Sequence, residues 1–308
     1  MAIGERYRQQ VALLVQTIPA VAAEDCFALK GGTAINLFVR NMPRLSVDID
    51  LTYLPVASRA ESLTAIEASL LRIKDRISQT IDGVHVAESR QLDGTITRLI
   101  VQLGRTQVKI EVTPVLRGCV FAPQMQPISD LAEEHFGFVE IRVVSFADLY
   151  AGKIMAALDR QHPRDLFDIR DLLAHEGIND DLRKAFIDYL ISYDSPIAAV
   201  LGRGQKDIEQ EFRQNFQGMT VDDVTLEELL TARQELVNRI VVEMPIGHRE
   251  FLVGFKAGMP DWDRLGVPRA QVLPAVKWKQ LNLDKLQPDA RKTATARLAK
   301  LLGVELPA

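Results

Sequence analysis

The sequence predicts an α+β fold, in which a mixed sheet with flanking helices is followed by a mostly helical region. Two observations lead to this prediction. Strand-like and helical runs alternate over the first third of the chain, and strand signals nearly vanish from Phe146 onward. A length of 308 residues, about twice the usual domain size, accommodates two domains. We place their boundary near residue 143, which gives domains 1–143 and 144–308.

The elements of the first domain are predicted from the spacing of its apolar residues. Helical spacing is present over 5–22, 33–40 and 59–79, and extended runs cover 26–30 and 47–54. Two more strands, 96–103 and 107–115, are separated by Gly104-Arg105-Thr106, a length that suits a hairpin.

The second domain is predicted to be helical. Helical periodicity covers 146–159, 164–175, 181–192, 205–216, 226–239 and 292–302. Pro163 stands where it can open a helix at its first turn. Residues 256–287 are interpreted as an ordered arm with a helix near 271–286, in which Trp262 and Trp278 anchor the packing rather than stack on bases.

The composition excludes several classes of protein. Hydrophobic residues make up 47% of the chain and charged residues 25%, which excludes a disordered tail, a coiled coil and a collagen-like fibre. A net charge of −4 excludes a protein that coats nucleic acid over its whole surface. Cys26 and Cys119 lack the spacing of a disulfide framework or zinc site. The sequence has no signal-peptide pattern and no apolar run of about 20 residues, the length that a membrane span needs. We therefore expect a cytoplasmic protein that does not cross a membrane.

Positive charge is concentrated near the C-terminal end. Residues 256–300 contain ten bases and four acids, although the whole chain is acidic. Such a stretch is either a solvated helical face or a patch that binds polyanionic phosphate. The second interpretation makes RNA a more plausible partner than a small molecule.

The most specific feature is Ser46-Val-Asp48-Ile-Asp50-Leu. Side chains alternate across a strand, so Asp48 and Asp50 share one face and repel each other unless a cation lies between them. Mg²⁺ commonly joins one or two carboxylates to substrate phosphates. Taken alone, the pattern also occurs in surface turns and sugar-nucleotide sites.

A third carboxylate is predicted on the strand at 107–115. Val108 and Ile110 alternate with Lys109 and Glu111, so one face is apolar and the other polar. If this strand neighbours the one with the two aspartates, Glu111 completes a three-carboxylate cage for two Mg²⁺ ions. The alternative is a half-exposed strand with an ordinary Lys/Glu pair.

Two further motifs are candidates for contacts with phosphate. Gly31, Gly32 and Thr33 join a strand to a helix, where adjacent glycines allow close approach of a ligand, although a Gly-Gly pair is also common in plain turns. Lys153 is a point charge that can bind triphosphate oxygens. Asp165 and Asp168 lie three residues apart and so share one helix face. They belong either to the same site or to ordinary ion pairs between helices.

Taken in order, these motifs resemble the AbiEii/AbiGii family of nucleotidyltransferase toxins, within the DNA polymerase β-like nucleotidyltransferase superfamily. Its members belong to type IV toxin–antitoxin and phage abortive-infection systems. The matching segments are Lys30-Gly-Gly-Thr-Ala-Ile-Asn-Leu, Arg44-Leu-Ser46-Val-Asp48-Ile-Asp50-Leu, Lys109-Ile-Glu111, Asp148-Leu-Tyr-Ala-Gly-Lys153, Arg164-Asp165-Leu-Phe-Asp168, Gly258-Met-Pro-Asp-Trp262 and Leu273-Pro-Ala-Val-Lys-Trp278.

The resemblance implies a minimal nucleotidyltransferase sheet and a helical C-terminal domain that completes a cleft and offers a basic patch. It also implies a role for each site residue. Gly31, Gly32 and Thr33 would hold the β- and γ-phosphates of the nucleoside triphosphate. The metal ligands would be Asp48, Asp50 and Glu111, with Glu111 also accepting a proton. Lys153 would bind the triphosphate, and Asp165 or Asp168 would fill the last acidic motif.

The activity implied by the resemblance is Mg²⁺-dependent transfer of a nucleoside monophosphate to an acceptor hydroxyl, with the 3′ end of tRNA as the expected acceptor. An antitoxin from a neighbouring gene is the expected partner. One departure is that the superfamily often has serine after the first glycine, where this chain has Gly32 followed by Thr33. Two alternatives are a non-catalytic regulatory or binding module on the same fold and a nucleotide-dependent kinase or phosphotransferase with the same metal cage.

Overall fold

The computed structural model describes residues 4–92 and 94–306, which divide into two compact units. The first unit contains the described residues up to Ser145 together with Gly218–Asp223. The second unit contains Phe146–Gln217 and the described residues from Val224 onward. The first unit therefore includes a short segment from much later in the sequence.

Seven strands of the described chain form one sheet in the first unit. They are β1 (Phe27–Lys30), β2 (Asp48–Tyr53), β3 (His85–Arg90), β4 (Ile96–Leu103), β5 (Thr106–Val112), β6 (Gln124–Pro127) and β7 (Glu140–Val143). The order is β3-β4-β5-β2-β1-β7-β6, with β2–β5 and β1–β7 parallel and the other pairs antiparallel. The sheet is mixed, as the sequence predicted.

The helices of the first unit cover the apolar side of this sheet. They are α1 (Glu5–Ala22), α2 (Gly31–Ala34, continued by a π-helical turn over Ile35–Val39), α3 (Arg59–Thr80) and α4 (Asp130–Phe136). Helix α1 packs against β5 and β7, and α3 packs against β4. Helix α3 begins with a capping box, in which Ser58 and Glu61 each accept a hydrogen bond from the other's backbone N–H.

Strands β2 and β5 follow the alternation expected of half-buried strands. Ile49 and Leu51 on β2 are completely buried, and so is Ile110 on β5. Asp48 and Asp50 alternate with these residues on β2, as Lys109 and Glu111 do on β5. These four side chains are half-buried on the opposite face. Burial of the apolar face therefore fixes which face carries the charges.

All the regular secondary structure among the described residues of the second unit is helical. Its helices are α5 (Phe146–Asp159), α6 (Pro163–His175), α7 (Asp180–Ser192), α8 (Ile197–Leu201), α9 (Glu209–Asn215), α10 (Leu226–Val237, continued by a π-helical turn over Asn238–Val242), α11 (Ile246–Ala257), α12 (Trp262–Leu265), a 3₁₀ turn (Pro268–Val272), α13 (Pro274–Asp284) and α14 (Pro288–Leu302). Helix α5 packs against α7, α6 against α10 and α11 against α14. Pro163 opens α6, as predicted, and His162 caps it by accepting a hydrogen bond from the backbone N–H of Arg164.

Several elements were missed by the sequence analysis, whereas the helix expected near 271–286 in the ordered arm is found as α13. Strands β3 and β6 lie at the two edges of the sheet, where backbone pairing rather than an apolar face stabilises them. Helix α11 was also missed, and it ends at Gly258 in the left-handed conformation. No helix among the described residues combines the length and apolar character needed to cross a membrane.

The two tryptophans have different environments. Trp262 packs against Phe251 and Phe255, with ring centroids 5.3 and 6.2 Å away, so its expected anchoring role is confirmed. Trp278 is 59% exposed, so the expectation that it anchors the arm was wrong. The helical pattern of α13 buries Ala275 and Val276 and leaves the indole on the outer side.

A buried acid in the second unit, Asp188, forms no ion pair within the described chain. Asp188 on α7 is 3% exposed, and its Oδ1 atom accepts no hydrogen bond within the described chain. Burial, and then the nearby carboxylate of Asp148 on α5, raise the pKa of Asp188 well above its ordinary value. The folded protein therefore holds a proton that the unfolded chain releases above its ordinary pKa, so stability is lost as the pH rises.

We expect Asp188→Asn to increase the free energy of unfolding by about 1–3 kcal/mol near pH 8 and by less near pH 5, because the amide has no proton to release. Urea unfolding at a series of pH values measures the difference. Asp75→Asn, at an exposed position on α3, is the control and should leave the pH dependence unchanged. A gain that is the same at every pH would contradict this account.

Candidate functional site

The carboxylates predicted from the sequence lie on neighbouring strands of the first unit. The parallel register of β2 with β5 sets Asp50 opposite Glu111 and Asp48 opposite Lys109. The adjacency of these strands, on which the three-carboxylate argument depended, is thereby confirmed. Two carboxylates and a third from the next strand share the polar face of the sheet.

Basic side chains lie among these acids. The Lys109 ammonium is 3.6 Å from Asp48 Oδ2 and 3.3 Å from Glu111 Oε2. Arg98 on β4 donates a hydrogen bond of 2.9 Å to the other oxygen of Glu111. Although burial raises it, the pKa of Glu111 is lowered overall by its hydrogen bonds with Arg98 and Lys109. Glu111 is therefore ionised at neutral pH and able to accept a proton or bind a cation.

Asp50 is the most enclosed of the three acids. Burial raises its pKa above the ordinary value, and the charges of Asp48 and Glu111 add to this effect against the opposing charge of Lys30. Lys30 lies directly opposite Asp50 in the antiparallel register of β1 with β2 and donates a 2.9 Å hydrogen bond to Thr113. Burial also lowers the pKa of Lys30. Sequence analysis quoted Lys30 in a motif without assigning it a role.

The donor set suits a hard divalent cation. Asp48 and Asp50 supply carboxylate oxygens from one face of one strand, which is the ligand type that Mg²⁺ prefers. The raised pKa of Asp50 reflects first the burial of its carboxylate and then the nearby charges of Asp48 and Glu111, and a bound cation would offset both effects. However, within the described chain no three His, Cys, Asp or Glu side chains are gathered closely enough to form a ready-made metal cage. Lys109 lies between the carboxylates instead.

The glycine turn lies directly beside Asp50. Gly31 has a φ of +76°, and a Cβ atom there would lie 2.7 Å from Asp50 Oδ2. A Cβ atom on Gly32 would lie 2.7 Å from the Ser46 hydroxyl and 2.9 Å from the Arg44 guanidinium. Only glycine therefore allows this turn to pass so close to the acidic strand.

The hydroxyl of Thr33 points into the protein. Thr33 is completely buried, and its Oγ1 atom is 3.2 Å from the Ser46 hydroxyl. Ser46 in turn donates its backbone N–H to the Tyr7 hydroxyl at 3.0 Å. Thr33 thus connects the glycine turn to the segment that leads into Asp48.

A segment from the second half of the sequence supports the same region. Leu45 donates its backbone N–H to Met219, and Val221 donates to Pro43, each at 2.9 Å. These bonds surround an isolated antiparallel bridge between Arg44 and Thr220. Sequence analysis missed this contact, because a single bridge between distant segments produces no periodic pattern.

The remaining candidate residues form a buried ion-pair cluster in the second unit. The Lys153 ammonium on α5 is 2.8 Å from Asp165 and 2.9 Å from Asp168, both on α6. Arg160 also donates to Asp165, at 2.5 and 2.9 Å. Burial raises the pKa of Asp165, but Lys153 and Arg160 hold it far below the ordinary value. Ion pairs between helices, the alternative given for Asp165 and Asp168 from the sequence, are therefore present, and they are buried rather than at the surface.

We expect Lys153→Ala to reduce the free energy of unfolding by about 3–5 kcal/mol, because it removes the cation that two buried carboxylates share. Urea unfolding measures the loss. Lys184→Ala removes a more exposed i,i+4 pair with Asp180 on α7 and should cost less than about 0.5 kcal/mol. Unchanged stability of Lys153→Ala with a loss of nucleotide affinity would identify Lys153 as a ligand contact rather than a structural ion pair.

Comparison with known proteins identifies a matching family from the sequence and a similar fold from the structure. The sequence matches the family model described as nucleotidyl transferase AbiEii toxin, type IV toxin–antitoxin system, over residues 12–279. No curated protein matches it. Among solved structures, the fold is similar to that of MenT4, a nucleotidyltransferase toxin from Mycobacterium tuberculosis H37Rv, with a TM-score of 0.57 over 95% of this chain and 92% of that chain. At 15% identity, this likeness is one of fold.

The family match includes the glycine turn, the acidic strands and the ion-pair cluster of the second unit. It also includes the intervening segment Gly218–Asp223, which belongs with the acidic sheet. The match spans most of the sequence rather than one motif. The chain is therefore a nucleotidyltransferase that belongs to the AbiEii family of type IV toxin–antitoxin toxins.

Proposed function

We propose that this toxin transfers a nucleoside monophosphate from a nucleoside triphosphate to the 3′-terminal hydroxyl of an RNA, with tRNA as the acceptor class and Mg²⁺ as the cofactor. The observation that carries the proposal is the pairing of β2 with β5, which brings Asp48, Asp50 and Glu111 together beside the glycine turn. The basic C-terminal stretch supports an RNA acceptor.

The chemistry assigns a role to each part of this site. The acceptor oxygen attacks the α-phosphorus, a new P–O bond forms, and the bond to pyrophosphate breaks. Asp48, Asp50 and Glu111 would hold two Mg²⁺ ions, whose chemistry is stabilisation of charge on the attacking and leaving oxygens. Glu111, kept ionised by Arg98 and Lys109, would accept the proton of the attacking hydroxyl.

Phosphate binding is assigned to the glycine turn and the second unit. Gly31, Gly32 and Thr33 would approach the β- and γ-phosphates through their backbone, since their side chains are absent or buried. We also propose that Lys153, Asp165 and Asp168 of the second unit bind nucleotide phosphate. In this role the two aspartates would orient the lysine ammonium toward a phosphate group.

The family implies an antitoxin partner. We propose defence against phage infection as the biological setting, in which blocking of tRNA aminoacylation would stop protein synthesis.

We expect Asp48→Asn and Asp50→Asn each to reduce transfer at least about a hundredfold, because each removes a carboxylate that binds the metal. Purified protein is incubated with Mg²⁺, total tRNA and each α-³²P-labelled nucleoside triphosphate, and the products are separated on a denaturing gel. Asp75→Asn is the control, and circular dichroism checks that each variant is folded.

Three results would contradict parts of this proposal. Full activity of a folded Asp48→Asn variant would remove the metal assignment. Label on a protein band would replace RNA as the acceptor. Transfer of label from a γ-³²P-labelled but not an α-³²P-labelled triphosphate would identify a kinase.

We expect Gly31→Ala to abolish transfer while Gly104→Ala retains it. Both glycines have positive φ, +76° and +58°, so each substitution costs about 1–2 kcal/mol of backbone strain. A Cβ atom at Gly31 would collide with Asp50, whereas at Gly104 nothing lies within 4 Å. The same labelled-tRNA assay, with urea unfolding beside it, separates the two effects. Equal activity of the two variants would show that close approach to Asp50 is unimportant.

A further inference from the structure

An exposed tryptophan lies on the outer side of α13. Trp278 is 59% exposed, and Leu281, one turn later, is 54% exposed. The Lys285 ammonium lies 5.8 Å from the centroid of the Trp278 ring. The indole lies mostly outside the core of the second unit, toward which α13 directs Ala275, Val276 and Leu283.

A cavity of about 390 Å³ lies beside this tryptophan. Phe255 and Pro260 provide apolar walls, and Lys277 and Arg291 provide positive charge. Asp284 is the one acid in the lining, and it accepts a 2.8 Å hydrogen bond from Arg291. The cavity therefore combines an apolar wall with a basic rim, and α13, which carries Trp278, contributes Lys277 and Leu281 to its lining.

Two further lysines, Lys256 and Lys279, lie on the helices that line this cavity. Burial and then the charge of Arg291 lower the pKa of Lys256 on α11. Burial and then the charge of Lys256 lower the pKa of Lys279 on α13. Within the described chain, no carboxylate forms an ion pair with Lys277 or Lys285. The ammonium groups of Lys277 and Lys285 are thus available to a polyanion, whereas Lys279 donates to the backbone carbonyls of Tyr193, Asp194 and Ser195.

We propose that the Trp278 surface, formed by Lys277, Trp278, Leu281, Lys285 and Arg291, binds single-stranded RNA, with an unpaired base stacked on the indole and a neighbouring phosphate at the cavity rim. The proposal rests on the proposed function in one respect, that the acceptor is an RNA. Excess positive charge selects a polyanion, and an exposed aromatic ring beside lysines is how proteins hold unpaired bases. An RNA meets both requirements, since every base offers a π-face and every nucleotide a charge.

The test uses fluorescence anisotropy of a labelled oligouridine of about eight nucleotides with the full chain. Trp278→Ala should weaken binding about 5- to 150-fold, the equivalent of about 1–3 kcal/mol for one stacked base. Phe138→Ala removes an aromatic ring of similar exposure, 60%, from the first unit and should leave binding unchanged. Equal affinity of Trp278→Ala and the unmodified protein would overturn the proposal.

The salt dependence of binding provides a second measurement. Lys277→Ala should reduce the slope of log K against log salt concentration by about 0.7, the value for one phosphate contact to a single strand. Arg105→Ala, at an exposed position in the β4–β5 turn, should leave the slope unchanged. An unchanged slope for Lys277→Ala would place the phosphates elsewhere and contradict the proposed surface.

Tryptophan fluorescence reports the stacking directly. The chain has two tryptophans, so Trp262→Phe leaves Trp278 as the only one. Oligouridine should quench this emission as it binds, and absence of quenching at saturation would overturn the stacking.

The two proposals fail in distinguishable ways. If Trp278→Ala lowers RNA binding while Asp48→Asn abolishes transfer and retains binding, both hold. If Asp48→Asn loses transfer but Trp278→Ala binds RNA normally, only the Trp278 surface is wrong. If the unmodified protein transfers no nucleotide to RNA but binds oligouridine through Trp278, only the proposed function is wrong.

Discussion

The parallel pairing of β2 with β5 is the constraint on which the acidic site depends. Ile49 and Ile110 lie opposite each other and are completely buried, so the register cannot shift by one residue without exposing both. The same register brings Asp50 opposite Glu111 on the other face. The apolar contacts that stabilise the sheet therefore also hold the carboxylates close together against their mutual repulsion. In an unfolded chain, the same carboxylates would move apart in water.

The two units handle buried charge in different ways. In the second unit Lys153 and Arg160 neutralise Asp165 fully and keep it ionised. In the first unit burial outweighs the charges of Lys30 and Lys109 and keeps the pKa of Asp50 raised. A buried carboxylate with a raised pKa costs stability and is typical of sites that bind a charged ligand. Complete balance is typical of structural clusters, which is why a stability measurement on Lys153 is informative.

Much of the fold could be predicted from sequence, because apolar periodicity follows burial. Helices α1, α3 and α5 are found within a residue of their predicted bounds, and β4 at its predicted bounds. Edge strands such as β6 have no buried face and left no pattern. For the site, alternation alone indicated that Asp48 and Asp50 share a face. The insertion of Lys109 between acids, and the enclosure of Thr33, depend on side-chain packing, which spacing does not encode.

The bridge between Arg44 and Thr220 has a consequence for synthesis of the toxin on the ribosome. The strand with Asp48 and Asp50 is translated early, but the segment that pairs with the residues just before it belongs to Gly218–Asp223. At about 5–20 residues per second, the interval between Ser145 and Asp223 takes about 4 to 16 s. A nascent chain released in that interval lacks part of the first unit, so prematurely terminated products are missing the segment that pairs with the residues just before β2.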